Sequence, residues 1–172
     1  MQYKIHHFKS LTSTQDKAKE FAKIGLSNIV FVADYQTKGR GRFKRKWYSD
    51  KNGMWMSILL KPNNVENLSY LTFAAAIAVV KSIKKMANLN TNIKWPNDVN
   101  YNGKKLCGIL TEGIFGKDNY VAVGIGLNVN QSKFPDIIKN SATSLKIIKN
   151  RTIDATKLRK KIIYEFFKLY TT

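Results

Sequence analysis

The sequence predicts an α+β fold in a single domain. Three observations carry that prediction: short β-rich apolar runs at 29–33 and 54–60, an Ala-rich stretch of helical length at 68–86, and an Asn102-Gly103 pair, the strongest hairpin signal in the chain. Strands joined by hairpins in the second half, mixed with helices elsewhere, fit this class better than a doubly wound parallel sheet.

The elements follow in chain order. Ser13 or Thr14 caps a helix over about 15–24, with Asp16 in its first turn and Gly25 as a left-handed stop. Ile29 to Ala33 reads as a buried strand, and residues 35–53 as a long polar loop rich in Gly and Arg. Met54 to Leu60 is the next strand, and Leu68 to Met86 the core helix. Ile93–Trp95 and Val99–Tyr101 flank Pro96, which cannot sit within a sheet, so this segment reads as one strand interrupted by a turn. The Asn102-Gly103 turn then leads into Leu106–Glu112, and Tyr120–Val129 supplies a further strand. Asp154 caps a last helix whose stripe is Leu158, Ile162, Phe166 and Leu169.

Composition narrows the class. A chain of 172 residues is long enough for one hydrophobic core, and 44% hydrophobic content excludes a disordered basic tail. The lone Cys107 excludes a disulfide framework and a multi-cysteine zinc site, and fits a reducing compartment. The start of the chain lacks an apolar signal segment, and the longest apolar run, Phe73 to Val80, is too short to span a bilayer. A cytoplasmic protein with no membrane partner is therefore expected.

The net charge is +19, from 30 Lys+Arg against 11 Asp+Glu, which first suggests nucleic acid. The excess is spread along the chain, and Lys, Asn and Ile, all with A/T-rich codons, dominate the composition. One local cluster stands out: Lys38, Arg40, Arg42, Lys44, Arg45 and Lys46 place six cations in nine positions.

Four segments have the composition of a functional site. In Gly39-Arg40-Gly41-Arg42, glycine permits close backbone approach and arginine offers planar, bidentate bonds to carboxylate or phosphate. Trp47, just downstream, suits the core or an aromatic cover for a base. Lys94-Trp95-Pro96-Asn97-Asp98 brackets a rigid turn with a cation, an amide and a carboxylate. Taken alone, it reads as a connection with Trp95 in the core and solvated ends. In Lys105 to Glu112, Lys105 opens a strand whose Gly108 admits a ligand closely. Gly124-Ile125-Gly126-Leu127-Asn128-Val129-Asn130 ends a strand in glycines and amides, too little for a dinucleotide site.

Together, and in this order after Ser13-Thr14-Gln15, these segments resemble the catalytic domain of biotin protein ligases over residues 8–170. The resemblance implies a mixed, largely antiparallel sheet with helices packed on one face. It also implies an ATP-dependent, two-step acyl transfer through biotinyl-5′-AMP to a lysine of a biotin carboxyl carrier domain, with Mg2+ carried on the substrate phosphates. By position, Ser13, Thr14 and Gln15 bind the ureido ring, with Gln36 and the Gly39–Arg42 backbone, including Gly41, closing over biotin. Arg40 and Arg42 neutralise carboxylate and phosphate; Lys105 contacts the carboxylate or α-phosphate; Trp47 covers the adenine. Gly108 and Gly126 count among the binding residues, and Asn128 meets the nucleotide or its metal. Asp98 orients or deprotonates the acceptor lysine, with Lys94 nearby for phosphate charge. Ser13 is equally placed to be simply the helix cap.

Two departures from the family pattern stand out. Lys44 occupies a position usually held by glycine, and the chain ends straight after the last helix, where the family usually carries a small β-barrel. The expectation is one domain over residues 1–172, without that barrel or an N-terminal DNA-binding module, acting as a monomer or weak homodimer. Three alternatives remain: a degenerate biotin-binding homologue, a lipoate or octanoyl transferase using Cys107, and a non-catalytic basic RNA-binding module. Cys107 itself reads as a buried small hydrophobe, and the 35–53 loop is expected to order on ligand.

Overall fold

A computed structural model describes residues 2–63 and 68–170. Seven strands form one sheet in the order β1-β2-β3-β7-β6-β5-β4. The strands are β1 (Lys4–Phe8), β2 (Ile29–Ala33), β3 (Met54–Leu60), β4 (Asn92–Lys94), β5 (Asp98–Tyr101), β6 (Lys104–Ile114) and β7 (Tyr120–Leu127). Only the β1–β2 pair is parallel, so the sheet is mixed and largely antiparallel. Among the described residues four α-helices accompany it: α1 (Thr14–Lys23), α2 (Leu68–Ala87), α3 (Leu145–Lys149) and α4 (Ala155–Tyr170). Among the described residues, no helix is long and apolar enough to cross a membrane.

The two long helices share one face of the sheet. Val30, Val32, Met56, Ile58, Val123 and Ile125 pack there against Leu71, Val79 and Ile83 of α2 and Leu158, Ile162 and Phe166 of α4. Strand alternation turns the intervening side chains to the other face. There Phe31, Leu59 and Ala122 meet Ala18 and Ala22 of α1 in a second, smaller cluster. Helix packing on one face thus describes α2 and α4, while α1 lies across the sheet from them. Its Ser13 cap accepts a hydrogen bond from the Gln15 amide, and the chain leaves through Gly25 at φ +82°.

Several elements depart from the sequence expectation. β1 was not anticipated, because it is a mostly exposed edge strand whose polar residues carry no apolar alternation. It forms by pairing its backbone with β2. The Pro96 turn does not interrupt one strand but reverses the chain, pairing β4 with β5 through Lys94 and Asp98. The Trp95-Pro96 bond is cis. Trp95 is not core: it is 81% exposed at this turn. The next reversal matches expectation, since Asn102 and Gly103 both take positive φ and Tyr101 pairs with Lys104.

One irregularity positions the site. Asn100 pairs with Lys105 but Val99 with Cys107, so Leu106 is an extra residue in β6, a β-bulge. Leu106 and Cys107 are consecutive, yet both are buried in the α2–α4 core. Strand phase is shifted by one residue, which leaves Lys105 and Gly108 together on the opposite face.

Candidate active site

That opposite face carries a cavity of about 330 Å³, bounded by the start of α1, the 36–48 loop, the Pro96 turn, the bare middle of β6 and β7, and residues 134–142. Its size is that of a small-molecule site.

Glycines create the floor. A Cβ on Gly126 would lie 2.7 Å from Trp47 Nε1, and one on Gly108 3.0 Å from Trp47 Cζ3. A Cβ on Gly124 would lie 3.0 Å from Gln15 Cδ. The two glycines of Gly124-Ile125-Gly126 therefore clear room for Gln15 and Trp47 respectively. Trp47 rests on this floor with its Nε1 buried and unpartnered among the described residues, and Lys105 Nζ stands 5.2 Å from its ring centroid.

At one end, a buried polar network fixes the start of α1. The Thr14 amide and hydroxyl both donate to Gln36 Oε1, at 2.8 and 3.1 Å, and Thr14 Oγ1 lies 2.7 Å from Ser57 Oγ. Gln36 Nε2 donates to Ser49 Oγ. Gln15 is 4% exposed; its Nε2 donates to the Leu110 carbonyl and to Glu112, leaving Oε1 without a partner. Gly39 lets the loop close, because a Cβ there would fall 2.2 Å from Ser49 Oγ and 2.7 Å from the Trp47 carbonyl. The Trp47 amide donates back to the Gly39 carbonyl at 2.9 Å.

At the loop tip, Arg42–Lys44 form a 3₁₀ turn in which Phe43 and Lys44 take positive φ. Lys44 thus holds the left-handed conformation suited to glycine, and the loop keeps its closed path despite the substitution.

The other end gathers charge. Lys105 Nζ lies 2.7 Å from Asp98 Oδ1. Arg42 donates to Asn97 Oδ1 at 3.3 Å, and Asn97 is itself pinned to β6 by two hydrogen bonds with Ile109. Arg42, Arg45 and Lys46 line the cavity and form no ion pair among the described residues. This collection of unpaired cations in a concave site suits an anionic ligand.

The description of the biotin/lipoate A/B protein ligase family matches residues 7–130. The chain belongs to that family. It is 44% identical, over 98% of its length, to the bifunctional ligase/repressor BirA of Bacillus subtilis, and covers 54% of that protein. It is 34% identical over 70% of its length to the biotin--[acetyl-CoA-carboxylase] ligase of Mycobacterium tuberculosis, covering 46% of it. The chain therefore spans about half the length of these curated relatives. Among solved structures, the biotin protein ligase from Aquifex aeolicus in complex with biotin and ATP superposes with a TM-score of 0.88 at 36% identity, covering 96% of this chain and 69% of that one. The biotin protein ligase from Leishmania major in complex with biotinyl-5-AMP gives 0.82 at 26% identity, covering 97% and 74%.

Within the family frame, the structure gathers Ser13, Thr14, Gln15, Gln36, Arg40, Gly41, Arg42, Trp47, Asp98, Lys105, Gly108, Gly126 and Asn128 around the cavity. Gly39, within the loop, does not line the cavity, and neither does Lys94, which is exposed on the edge strand β4. Arg40 differs from expectation in its partners: it donates to Asp16 at 2.7 Å and Glu112 at 3.0 Å, so protein carboxylates hold its guanidinium. Asn128 also turns its carboxamide to the protein, donating to the Thr143 carbonyl and accepting from Gln131. Asn97, Gly124 and Glu112 were assigned no role from sequence, although each lies inside a motif that was singled out. Cys107 is fully buried, and burial pushes its thiol well above the usual range, which removes it as a thiolate nucleophile.

Proposed function

We propose that the chain activates biotin with ATP to biotinyl-5′-AMP and passes biotin to a lysine of a carboxyl carrier domain. One observation carries this reading. A single cavity joins a rigid, amide-lined end at Ser13-Thr14-Gln15 to a cation-rich end at Arg42, Lys105 and Lys46. A neutral ureido ring suits the first end, and a carboxylate meeting a triphosphate suits the second. Similarity to the Aquifex structure with biotin and ATP and to the Leishmania structure with biotinyl-5-AMP supports the same assignment.

In the first step a biotin carboxylate oxygen attacks the α-phosphorus, and the bond to pyrophosphate breaks. Arg42 and Lys105 offset the repulsion between the two anions and stabilise charge on the transferring phosphoryl group. Asp98 is the one carboxylate lining the cavity among the described residues. That donor set fits Mg2+ held chiefly by the triphosphate with few protein ligands, where it supplies charge neutralisation. In the second step the carrier's lysine amine attacks the acyl carbon and AMP leaves. Once phosphate engages Lys105, Asp98 is released to orient that amine or take its proton. Trp47 and the closed 36–48 loop keep water from the anhydride.

Purified protein should exchange labelled pyrophosphate into ATP only when biotin is present, and should then label a carrier domain with one biotin. No exchange and no labelling, beside an active ligase run in parallel, would reject the proposal.

A further inference from the structure

We infer that the Lys94-Trp95 corner is a docking surface for the carboxyl carrier domain, with Trp95 as its apolar anchor and Lys94 facing an acidic side chain near the acceptor lysine. The inference rests on the proposed second step, in which Asp98 receives the carrier's amine.

Neither residue is used by the core or by the cavity. Trp95 is 81% exposed, more than any other large hydrophobic side chain among the described residues. Lys94 is exposed, stands outside the cavity lining and forms no ion pair among the described residues. The β4–β5 reversal fixes where they lie, because Lys94 pairs with Asp98. Directly opposed residues share a face of the sheet, with Cα atoms about 5 Å apart. Asp98 lines the cavity, so Lys94 stands on the cavity's face of the sheet, and Trp95 follows at the turn.

That placement matters for transfer to a protein. An acceptor amine reaches Asp98 only at the end of an extended lysine side chain. The carrier's backbone therefore halts one lysine length from Asp98 and covers what surrounds it, and the Lys94-Trp95 corner lies within that radius. The loop side of the mouth has the same character. Phe43 lines the cavity yet is 79% exposed, and Lys44 beside it forms no ion pair among the described residues. A hydrogen bond from Arg42 to Asn97 ties this loop tip to the Pro96 turn.

Exposed aromatic side chains next to cations fit a protein partner with an apolar patch bordered by carboxylates. Interfaces concentrate their binding energy in a few such aromatic anchors. Covering a tryptophan removes about 150–250 Å² from water, whereas an exposed ion pair contributes little. Trp95 is therefore the decisive position, and Lys94 the tuning one.

The test uses a biotin carboxyl carrier domain of an acetyl-CoA carboxylase as acceptor, and hydroxylamine as an acceptor with no surface to dock. Trp95→Ala should raise KM for the carrier domain at least tenfold with kcat within threefold. Its biotin-dependent pyrophosphate exchange and its formation of biotinyl hydroxamate should stay within twofold of wild type. Lys94→Glu should raise the carrier KM at least threefold and flatten its dependence on salt. In wild type, a carrier domain with its acceptor lysine replaced by arginine should slow oxidative labelling of Trp95 at least threefold, a readout that survives poor folding of the variants. An unchanged carrier KM in Trp95→Ala would overturn the inference. Equal losses with carrier and hydroxylamine would do so too, by making Trp95 merely structural. So would protection of Trp95 by RNA, or by raised concentration of this chain alone, with none from the carrier domain. Wild type without biotin-dependent exchange would instead reject the functional reading itself.

Discussion

Replacing Gly126 by alanine tests whether the glycine floor is required by the indole above it. The added methyl would lie 2.7 Å from Trp47 Nε1, 2.8 Å from Cε2 and 3.2 Å from Cζ2. All three atoms belong to one rigid ring, so no torsion within the ring relieves the contact. Relief to ordinary van der Waals separation needs a displacement of about 0.7 Å or more. Overpacking of this kind costs about 1–3 kcal/mol. Trp47 belongs to a loop and is only half-buried, so the loss should fall near the lower end, about 1 kcal/mol, or about 2–4 °C in Tm. The larger effect is on the nucleotide, because a lifted indole moves into the space beneath Lys105. Biotin-dependent pyrophosphate exchange should show KM for ATP raised about tenfold, equivalent to about 1.4 kcal/mol. Biotin affinity should stay within about threefold, since the amide-lined end does not rest on this glycine. Gly116→Ala is the control: its Cβ would meet nothing closer than 3.9 Å. An unchanged Tm and KM in Gly126→Ala, or equal losses for ATP and biotin, would refute the reasoning.

Three further outcomes follow from named contacts. Thr14→Val removes the hydroxyl shared by Gln36 and Ser57 and should lower stability by about 1–3 kcal/mol in denaturant melts, with weaker biotin binding. Asp98→Asn should slow transfer from preformed biotinyl-5′-AMP by about 100-fold while slowing pyrophosphate exchange less than about tenfold, as separate single-turnover assays would register. Cys107→Ala should retain transfer, and it should also change the alkaline stability profile. The native thiol is raised above its unfolded value, so the stabilisation it brings is complete at lower pH and is lost as the unfolded thiol ionises above about pH 8.5. Wild type should therefore lose about 1.4 kcal/mol per pH unit there that the alanine variant does not. Parallel profiles would count against this.

Features that depend on local chemistry were legible in the sequence. Val30 and Phe31 belong to a run hydrophobic on both faces, and β2 is buried along its whole length. The Ser13 cap and the Asn102-Gly103 turn depend on neighbouring residues alone, and both formed where expected. β1 was not legible because its strand character comes from pairing with β2 rather than from apolar alternation. Trp95 was misplaced for a related reason: an aromatic residue is apolar on average, but this one sits at a reversal that turns it outward. In the site, the motifs were visible and their internal wiring was not. Whether Arg40 meets a ligand or Glu112 depends on how the 36–48 loop and β6 approach each other, about seventy residues apart in the chain. The glycines of the 124–130 segment were noticed, but their purpose appears only once Gln15 and Trp47 are seen above them.

The bulge at Leu106 has a consequence for how this protein can vary in length. On either side of it, β6 keeps ordinary alternation, and the single extra residue alone brings Lys105 to the face it shares with Gly108. Pairing this stretch in regular register, at the same spacing but without the bulge, would instead turn the lysine towards α2 and α4, among buried apolar side chains. Insertions at the Asn102-Gly103 tip lie beyond that point and leave the phase intact. The hairpin end is therefore open to gain and loss of residues, whereas between Lys105 and Gly108 an odd spacing needs the bulge and an even spacing needs its absence. Lineages are expected to exchange side chains within that interval while keeping spacing and bulge matched.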